Sequence, residues 1–357
     1  TLEYMEVFTD KGSVDPRQMY RFIDRDGEML ALRADLTPPV ARIVATNFEP
    51  DDAPLRFCYI QNVFRYSPNY QGRLREITQA GIELMGPSND EADAEVLAVA
   101  IDALRSVGLK DFRIDIGQVR FLQGMLEECN LPPSIRDELR DRVVARDFVT
   151  AEAIGKEHDV SREMRRLLSN LPFLSGGPEI LDEAREGAKN EKSRAAVANL
   201  KNIHAALRDY GFEKYVSFDL SMAGNMDYYT GIIFRGYTSG LGFSILDGGR
   251  YDSLVARFGV DLPAVGFIIK VQNVGGALEK QNDRAPFSPA DVLIAWTPEG
   301  RRFAFSAAAG LRARGLRCAA SFGGDAEMNL RDARRRGIRK VLWFDGTDRA
   351  GVTLWTD

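Results

Sequence analysis

"FRYSPNYQGRLREITQAGIELMG" (residues 64–86) is the stretch that decides the fold of this chain. Two runs rich in β-branched and aromatic residues, 57–66 and 75–86, flank a polar turn containing Pro and Gly, which predicts an antiparallel hairpin. Side chains alternate along a strand, so Gln79 and Glu83 point to the same face as each other. The second strand therefore carries polar side chains on one face of a sheet.

Glu83 lies between Ile82 and Leu84, a setting in which a carboxylate needs a polar partner. Gly81 has no side chain and leaves room for a small ligand beside this carboxylate. An imidazole N–H or an ammonium group would satisfy Glu83. The alternative is a charged face on an exposed edge strand, and this stretch alone does not decide between the two.

The rest of the chain predicts an α+β protein with two domains. Residues 1–280 form the larger domain, with an antiparallel sheet and a charged, almost wholly helical insertion at about 118–210. Residues 281–290 have the composition of a linker. Residues 291–357 alternate strand and helix as a small βαβαβ unit. The expected architecture is one large antiparallel core followed by a small α/β domain.

Composition excludes several classes of protein. The chain of 357 residues is 45% hydrophobic and 28% charged, as soluble globular proteins are. No apolar run of about eighteen residues is present, so no membrane span is expected. A net charge of −5 gives no general attraction to nucleic acid. The first residue is not Met, and we expect further sequence before it.

The metal-ligating residue types are sparse and widely spaced. Cys58, Cys129 and Cys318 are odd in number and far apart, which favours free thiols in a reducing cytoplasm. His158 and His204 have neither a Cys pair nor a second His at metal-ligand spacing, so packing or surface roles are expected. We therefore predict no metal site and no cofactor.

A basic segment lies near the C-terminus, in "RDARRRGIRK". Arg331, Arg334, Arg335 and Arg339 would form a stripe along a helix, but Asp332 interrupts it and no aromatic residue suited to base stacking accompanies it. A solvated helix face is the favoured interpretation, and nucleic-acid binding is not expected.

Two further segments carry unusual residues. "NMDYYTG" contains Tyr228 and Tyr229, which on a strand would point to opposite faces, one packing and the other lining a cavity. "LDGGRYDSL" has paired glycines that permit a close backbone approach, and its Arg250 and Asp252 are expected to pair across the turn. Each segment alone is weak evidence for a site.

Together the segments resemble, in order and spacing, the signature segments of histidyl-tRNA synthetase, a class II aminoacyl-tRNA synthetase. "LRADLTPP" (32–39) resembles that family's "LRPEGT", and the hairpin resembles motif 2 with its histidine-pocket strand. "MDYYTG" is similar to "LDYYTG", and "GGRYDSL…PAVGF" to the approach to motif 3. The resemblance spans about residues 1–280 and implies a class II synthetase-like antiparallel core. The small C-terminal domain resembles a shortened anticodon-binding domain.

The resemblance implies where a ligand would bind. A histidine-type pocket falls on six residues: Asp35, Thr37, Gln79, Glu83, Tyr228 and Tyr229. The remains of a nucleotide site fall on three arginines: Arg65, Arg73 and Arg75. Asp35 stands where the family has a glutamate. These polar groups match a small zwitterion such as histidine.

Other positions depart from the family pattern. Gly224 replaces the arginine before "LDYYTG", Asn273 replaces the motif 3 arginine, and Ser67 replaces the motif 2 glutamate. Lys270 adds a charge where the family has a glycine. Adenylation needs positive groups at the α-phosphate, and losing two of them costs on the order of 10⁴ in rate. We therefore predict no useful adenylation and no catalytic residues.

A synthetase body without these arginines resembles the regulatory subunit of ATP phosphoribosyltransferase. That resemblance implies a short catalytic subunit as partner, with histidine as a feedback effector of the first step of histidine biosynthesis. "TLEYMEVF" resembles the end of the dimer-forming motif 1, which implies a homodimer within a hetero-oligomer. The alternatives are a divergent but active histidyl-tRNA synthetase and a regulatory module that binds uncharged tRNA.

Overall fold

The computed structural model of the chain describes residues 1–9, 14–66, 74–222, 228–281 and 289–356. The chain divides into two compact units, residues 1–283 and 284–357. Within the described residues, no helix is long and apolar enough to cross a membrane. Most of the predicted linker, residues 282–288, lies outside the described residues.

Among the residues that the structure describes, the first unit contains a three-stranded sheet and an eight-stranded sheet. Three short antiparallel strands form the smaller one, in the spatial order β1-β3-β2: β1 Leu2–Tyr4, β2 Arg21–Ile23 and β3 Met29–Leu32. Eight strands form the larger one: β4 Leu55–Phe64, β5 Glu76–Met85, β6 Arg113–Gln118, β7 Ser175–Gly176, β8 Val216–Asp219, β9 Ile232–Tyr237, β10 Leu246–Arg250 and β11 Ala264–Lys270. Its spatial order is β4-β5-β11-β10-β9-β6-β8-β7, and among these described strands only β6 and β8 pair in parallel.

The predicted hairpin is confirmed. β4 and β5 pair antiparallel from Leu55 opposite Met85 to Phe64 opposite Glu76. β5 is not an edge strand, because β11 pairs along its other side. The alternative of an exposed edge at Glu83 is therefore wrong.

The helices of the first unit pack against the larger sheet and one another. They are α1 Glu6–Thr9, α2 Thr37–Asn47, α3 Asp90–Ser106, α4 Val119–Glu128, α5 Pro133–Val144, α6 Phe148–Glu157, α7 Arg162–Asn170, α8 Ile180–Gly187, α9 Glu191–Asp209, α10 Ser253–Ala256 and α11 Val271–Lys280. Helix α3 begins where the Asn89 side chain accepts from the Ala92 N–H at 3.1 Å. It buries Leu97, Ile101 and Leu104, and ends before Gly108, whose φ of +92° favours glycine.

The helical stretch between β6 and β8 shares its core with the sheet. Leu139 on α5, Leu168 on α7 and Leu200 on α9 belong to the same buried cluster as Ile114 on β6. A single continuous core therefore supports both the helices and the strands β6, β8 and β9.

The second unit is a small α/β domain. Its elements are β12 Val292–Trp296, α12 Arg301–Ala313, β13 Cys318–Ala320, α13 Ala326–Arg335, β14 Lys340–Phe344 and β15 Val352–Trp355. The parallel strands β13-β12-β14 confirm the predicted βαβαβ pattern, and β15 adds an antiparallel edge that was not predicted.

The predicted basic stripe of the second unit is wrong in one respect. Helix α13 ends at Arg335, so Arg339 lies beyond the helix. Arg335 and Arg336 both pair with Asp332, at 2.9 and 2.8 Å. The positive charge of this helix is thus partly neutralised by its own carboxylate.

Candidate functional site

One face of the larger sheet carries a cavity of about 390 Å³. All six residues of the predicted histidine-type pocket line it, together with one of the three predicted nucleotide-site arginines: Asp35, Thr37, Gln79, Glu83, Tyr228, Tyr229 and Arg65. The structure thus brings these residues together, and their contact with a ligand stays a prediction.

Local backbone structure explains why these side chains meet. Gln79 and Glu83 share the cavity face of β5 because they are four residues apart on one strand. Thr37 is the first residue of α2, and Asp35 lies just before it. At Gly266 on β11, a Cβ atom would overlap the Glu83 carboxylate, so this strand needs glycine to accommodate that side chain.

Glu83 is buried, with 1% of its surface exposed, and is held by hydroxyl groups. Oε1 accepts from Thr37 at 2.8 Å and from Tyr59 at 2.9 Å, and Oε2 accepts from the Tyr251 hydroxyl. Burial raises the pKa of Glu83 from 4.5 to about 7, although these three donors act to lower it. An ionised carboxylate has about four acceptor positions, so one remains for a ligand N–H.

The space at Gly81 is not open to a ligand, contrary to the prediction. A Cβ atom there would lie 2.7 Å from the Tyr59 hydroxyl and 2.6 Å from the Phe267 carbonyl oxygen. Gly81 and Tyr59 are directly opposite each other in the hairpin. The glycine therefore accommodates the tyrosine ring whose hydroxyl binds Glu83.

The two adjacent tyrosines also differ from the prediction. Tyr228 and Tyr229 precede β9 and do not lie on a strand, and both line the cavity. Their rings meet edge to face at 4.9 Å between centroids, and Tyr228 stacks on Tyr251 at 5.6 Å. Opposite faces, as alternation on a strand would require, are not observed.

Gln79 offers a hydrogen-bond acceptor without a partner. Its side chain is 4% exposed, and within the described part of the chain its Oε1 accepts no hydrogen bond. A buried acceptor left without a donor costs about 1–3 kcal/mol. The cavity therefore suits a ligand that brings an N–H group to this atom.

Arg65 and Arg75, the two described arginines of the predicted nucleotide site, do not converge. Arg65 donates to the Ala34 carbonyl oxygen at 2.9 Å and to Asp35 Oδ2 at 2.9 Å. Arg75 does not line the cavity; its guanidinium lies 5.3 Å from the centroid of the Tyr66 ring. Arg73 lies outside the described residues.

Of Gly224, Asn273 and Ser67, only Asn273 lies among the described residues. Asn273 Nδ2 donates to the Ser244 carbonyl oxygen at 2.9 Å, so its amide is bound to the backbone. Ser67 and Gly224 lie outside the described residues.

Sequence reasoning missed Tyr59 and Tyr251 as partners of Glu83. Tyr251 lies inside the quoted "GGRYD" segment, so a signal was present but was assigned to Arg250 and Asp252 alone. Tyr59 had no local signal, because its place depends on the register between β4 and β5.

The predicted pairing of Arg250 with Asp252 is confirmed, at 2.9 Å. Arg250 also contacts Asp93 on α3 at 2.7 Å, and both of these side chains are buried. Burial raises the pKa of Asp93 to about 6, although Arg250 lowers it. This ion pair ties β10 to α3 beside the cavity.

Metal-ligating side chains are dispersed among the described residues, where no three or more His, Cys, Asp or Glu side chains gather to hold a metal ion. His204 packs edge to face on Phe218 at 5.7 Å, and burial lowers its pKa. His158 caps the end of α6.

Comparison with known proteins agrees with this geometry. The sequence profile of histidyl-tRNA synthetase matches residues 1–274. The ATP phosphoribosyltransferase regulatory subunit of Acetivibrio thermocellus is 40% identical, over 96% of this chain and 82% of the relative. That of Caldanaerobacter subterraneus subsp. tengcongensis is 43% identical, over 88% of this chain and 82% of the relative.

Two solved structures have a fold similar to that of this chain. An ATP phosphoribosyltransferase regulatory subunit/histidyl-tRNA synthetase from Bacillus halodurans superposes with a TM-score of 0.85 at 32% identity, covering 98% of this chain and 88% of that one. A histidyl-tRNA synthetase from Nostoc sp. superposes with a TM-score of 0.79 at 21% identity, covering 99% of this chain and 86% of that one. The second likeness concerns the fold alone.

The antiparallel sheet and these matches define a protein with the class II aminoacyl-tRNA synthetase fold of the histidyl-tRNA synthetases, as predicted. Within that class, the chain belongs to the family of ATP phosphoribosyltransferase regulatory subunits.

Proposed function

We propose that this chain is the non-catalytic regulatory subunit of an ATP phosphoribosyltransferase. It binds the short catalytic subunit and activates the first step of histidine biosynthesis, in which ATP and phosphoribosyl pyrophosphate give phosphoribosyl-ATP and pyrophosphate. Membership of the family supports this role. The reaction itself takes place on the partner.

The hydrogen bond of Asn273 is the observation that best supports the absence of adenylation on this chain. A neutral amide stands where the synthetase resemblance requires an arginine, and it is bound to the Ser244 carbonyl oxygen. Charge developing at an α-phosphate would lack this donor, and one such loss costs about 10²–10³ in rate. We therefore expect no histidine-dependent ATP–pyrophosphate exchange above the background without enzyme.

Histidine is the effector that we propose for the cavity. Gln79 Oε1 would accept from its ammonium group, and Glu83 has one acceptor position left for its imidazole N–H. Histidine would inhibit the partner by binding more tightly to the inactive arrangement of the complex than to the active one.

A homodimer within the hetero-oligomer is supported by the smaller sheet. Its three strands expose large apolar side chains, among them Ile23 at 70% exposure. Several exposed large apolar side chains on one small sheet favour an interaction surface. Ile23→Lys should shift the mass measured by light scattering toward the monomer, whereas a monomeric wild-type chain would contradict this proposal.

A cytoplasmic location is proposed from the cysteines. Cys58, Cys129 and Cys318 are all unbridged thiols. Free thiols are typical of reducing compartments.

The decisive experiment is a phosphoribosyltransferase assay. The short catalytic subunit is measured alone, with this chain, and with this chain plus histidine. We expect activation by the chain and its reversal by histidine. Gln79→Leu should keep the activation and weaken the reversal, while Gln123→Leu, on α4 outside the cavity, should leave both unchanged.

Other results would favour one of the two alternative functions, a tRNA-binding module or a residual synthetase. No activation and no complex would overturn the proposal. Tight, salt-dependent tRNA binding in a filter assay at two salt concentrations would then indicate a tRNA-binding module. Histidine-dependent pyrophosphate exchange would indicate a residual synthetase.

A further inference from the structure

Two cavity-lining side chains face each other across neighbouring strands. Gln79 on β5 is directly opposite Lys270 on β11. Both line the cavity. Directly opposite residues of an antiparallel pair have Cβ atoms about 4.5–5.5 Å apart, so their polar ends can reach one small ligand together. An acceptor without a partner and a cation thus lie side by side.

Lys270 retains capacity for a ligand. Within the described residues its ammonium group contacts Asp247 Oδ2 at 2.5 Å and Ser244 Oγ at 2.7 Å. A lysine ammonium has three donors, so one remains. Asp247 balances the charge of Lys270.

Among the described residues, two other cations line the cavity, and they are placed differently. Arg65 is bound to Asp35 and to the Ala34 carbonyl oxygen. The side chain of Arg235 is 44% exposed, and its Nε lies 3.9 Å from Asp247. Neither is the cross-strand neighbour of Gln79. Of the cations that the structure describes, Lys270 is therefore the best-placed anion-binding group beside the unpartnered amide oxygen.

We propose that Lys270 binds the carboxylate of an α-amino-acid ligand while Gln79 Oε1 accepts a hydrogen bond from its ammonium group. The two groups of such a ligand sit on one carbon, which matches a donor and an acceptor that are direct cross-strand neighbours. This inference rests on the proposed binding of histidine in the cavity. It adds the side chain that binds the carboxylate of the ligand. It also predicts weaker binding of ligands that lack a carboxylate.

The test uses two ligands that differ only in this group. Histidine and histidinol, which has an alcohol in place of the carboxylate, are titrated calorimetrically into the full chain. A charge-assisted hydrogen bond corresponds to roughly 10- to 100-fold in affinity. We expect the wild-type chain to prefer histidine by about that factor.

Variants locate the effect at Lys270. Lys270→Met should weaken histidine binding by the same factor and leave histidinol binding unchanged, so that the preference disappears. Lys270→Arg should restore most of the preference. The control Lys280→Met removes an ammonium group from the end of α11, outside the cavity, and should behave as wild type. Thermal unfolding verifies that each variant is folded.

The outcomes separate this inference from the proposal on which it rests. Histidine binding with no preference over histidinol, or an equal loss of both ligands in Lys270→Met, would overturn the carboxylate role and leave histidine as the effector. Failure of the wild-type chain to bind histidine would overturn both. The wild-type comparison needs no variant, so misfolding of Lys270→Met cannot hide the result.

Discussion

Burial and hydrogen bonding shift the pKa of the Glu83 carboxyl group in opposite directions. Burial favours its neutral form, while the hydroxyls of Thr37, Tyr59 and Tyr251 favour the carboxylate. The balance leaves a pKa of about 7, so that both forms are populated at neutral pH. A ligand cation or N–H donor would favour the ionised form, and its affinity should therefore rise with pH through this range.

The pH dependence of stability tests this balance. A carboxyl group whose pKa rises from 4.5 to about 7 on folding stabilises the protein fully below pH 4.5 and loses that contribution as pH rises through 7. The loss amounts to about 3 kcal/mol. Glu83→Gln should abolish it, which urea unfolding at a series of pH values between 4 and 8 would measure.

The difference between wild type and Glu83→Gln cancels the contribution of Asp93, which also titrates with a raised pKa. Wild-type stability should fall relative to the variant as pH rises. Parallel curves for the two proteins would show that the pKa of Glu83 is close to its ordinary value.

The site requires a glycine at position 266, where a Cβ atom would overlap the Glu83 carboxylate. Gly266→Ala would place a methyl group on the Glu83 carboxylate and 2.5 Å from the Ile82 carbonyl oxygen. We expect a loss of about 1–3 kcal/mol of unfolding free energy, as for other overpacked interiors. The matched change Gly275→Ala, on α11 with nothing within 4 Å of its Cβ, should add about 0.5–1 kcal/mol. Equal effects of the two changes in urea unfolding would contradict this account.

At the scale of elements, β10 is joined to α3 through a buried ion pair. The Arg250 and Asp93 side chains are 5% and 3% exposed. Arg250→Met would leave Asp93 buried without its cation and should lower the unfolding free energy by about 3–5 kcal/mol. Arg56→Met removes one partner of an exposed pair with Glu95 and should change stability little. A small effect of Arg250→Met would mean that Asp93 is protonated or rehydrated in the variant.

The strands and helices were largely predictable because their signals are local. Alternation along 75–86, the Asn89 cap and the apolar spacing of α3 each lie within one short segment. What was missed depends on register. No local sequence pattern predicts that Tyr59 lies opposite Gly81, or that Lys270 lies opposite Gln79.

The candidate site was predicted through motifs rather than periodicity. Alternation placed Gln79 and Glu83 on one face, but only the family resemblance connected them with Asp35 and Thr37. Tyr228 and Tyr229 were misjudged because a strand was assumed where the chain has a turn before β9. The predicted backbone conformation of these two residues was wrong, but both tyrosines line the cavity.

At the scale of the whole molecule, the described lining of the candidate site comes from the first unit. The described residues that line the cavity fall between Val14 and Lys270, and the first compact unit spans residues 1–283. A chain ending at residue 283 should therefore fold independently and bind histidine with the affinity of the full chain. Calorimetry on the two proteins would measure this, and loss of binding in the shorter one would show that the second unit contributes to the site.

The contact between Arg65 and Asp35 has a further consequence for anions in solution. A carboxylate tethered next to a guanidinium has an effective concentration in the millimolar range or above. Asp35 Oδ2 holds Arg65 at 2.9 Å, so a free phosphate group must outcompete an anion that never diffuses away. The chain thus carries an internal competitor, which should weaken the binding of free phosphate groups at Arg65.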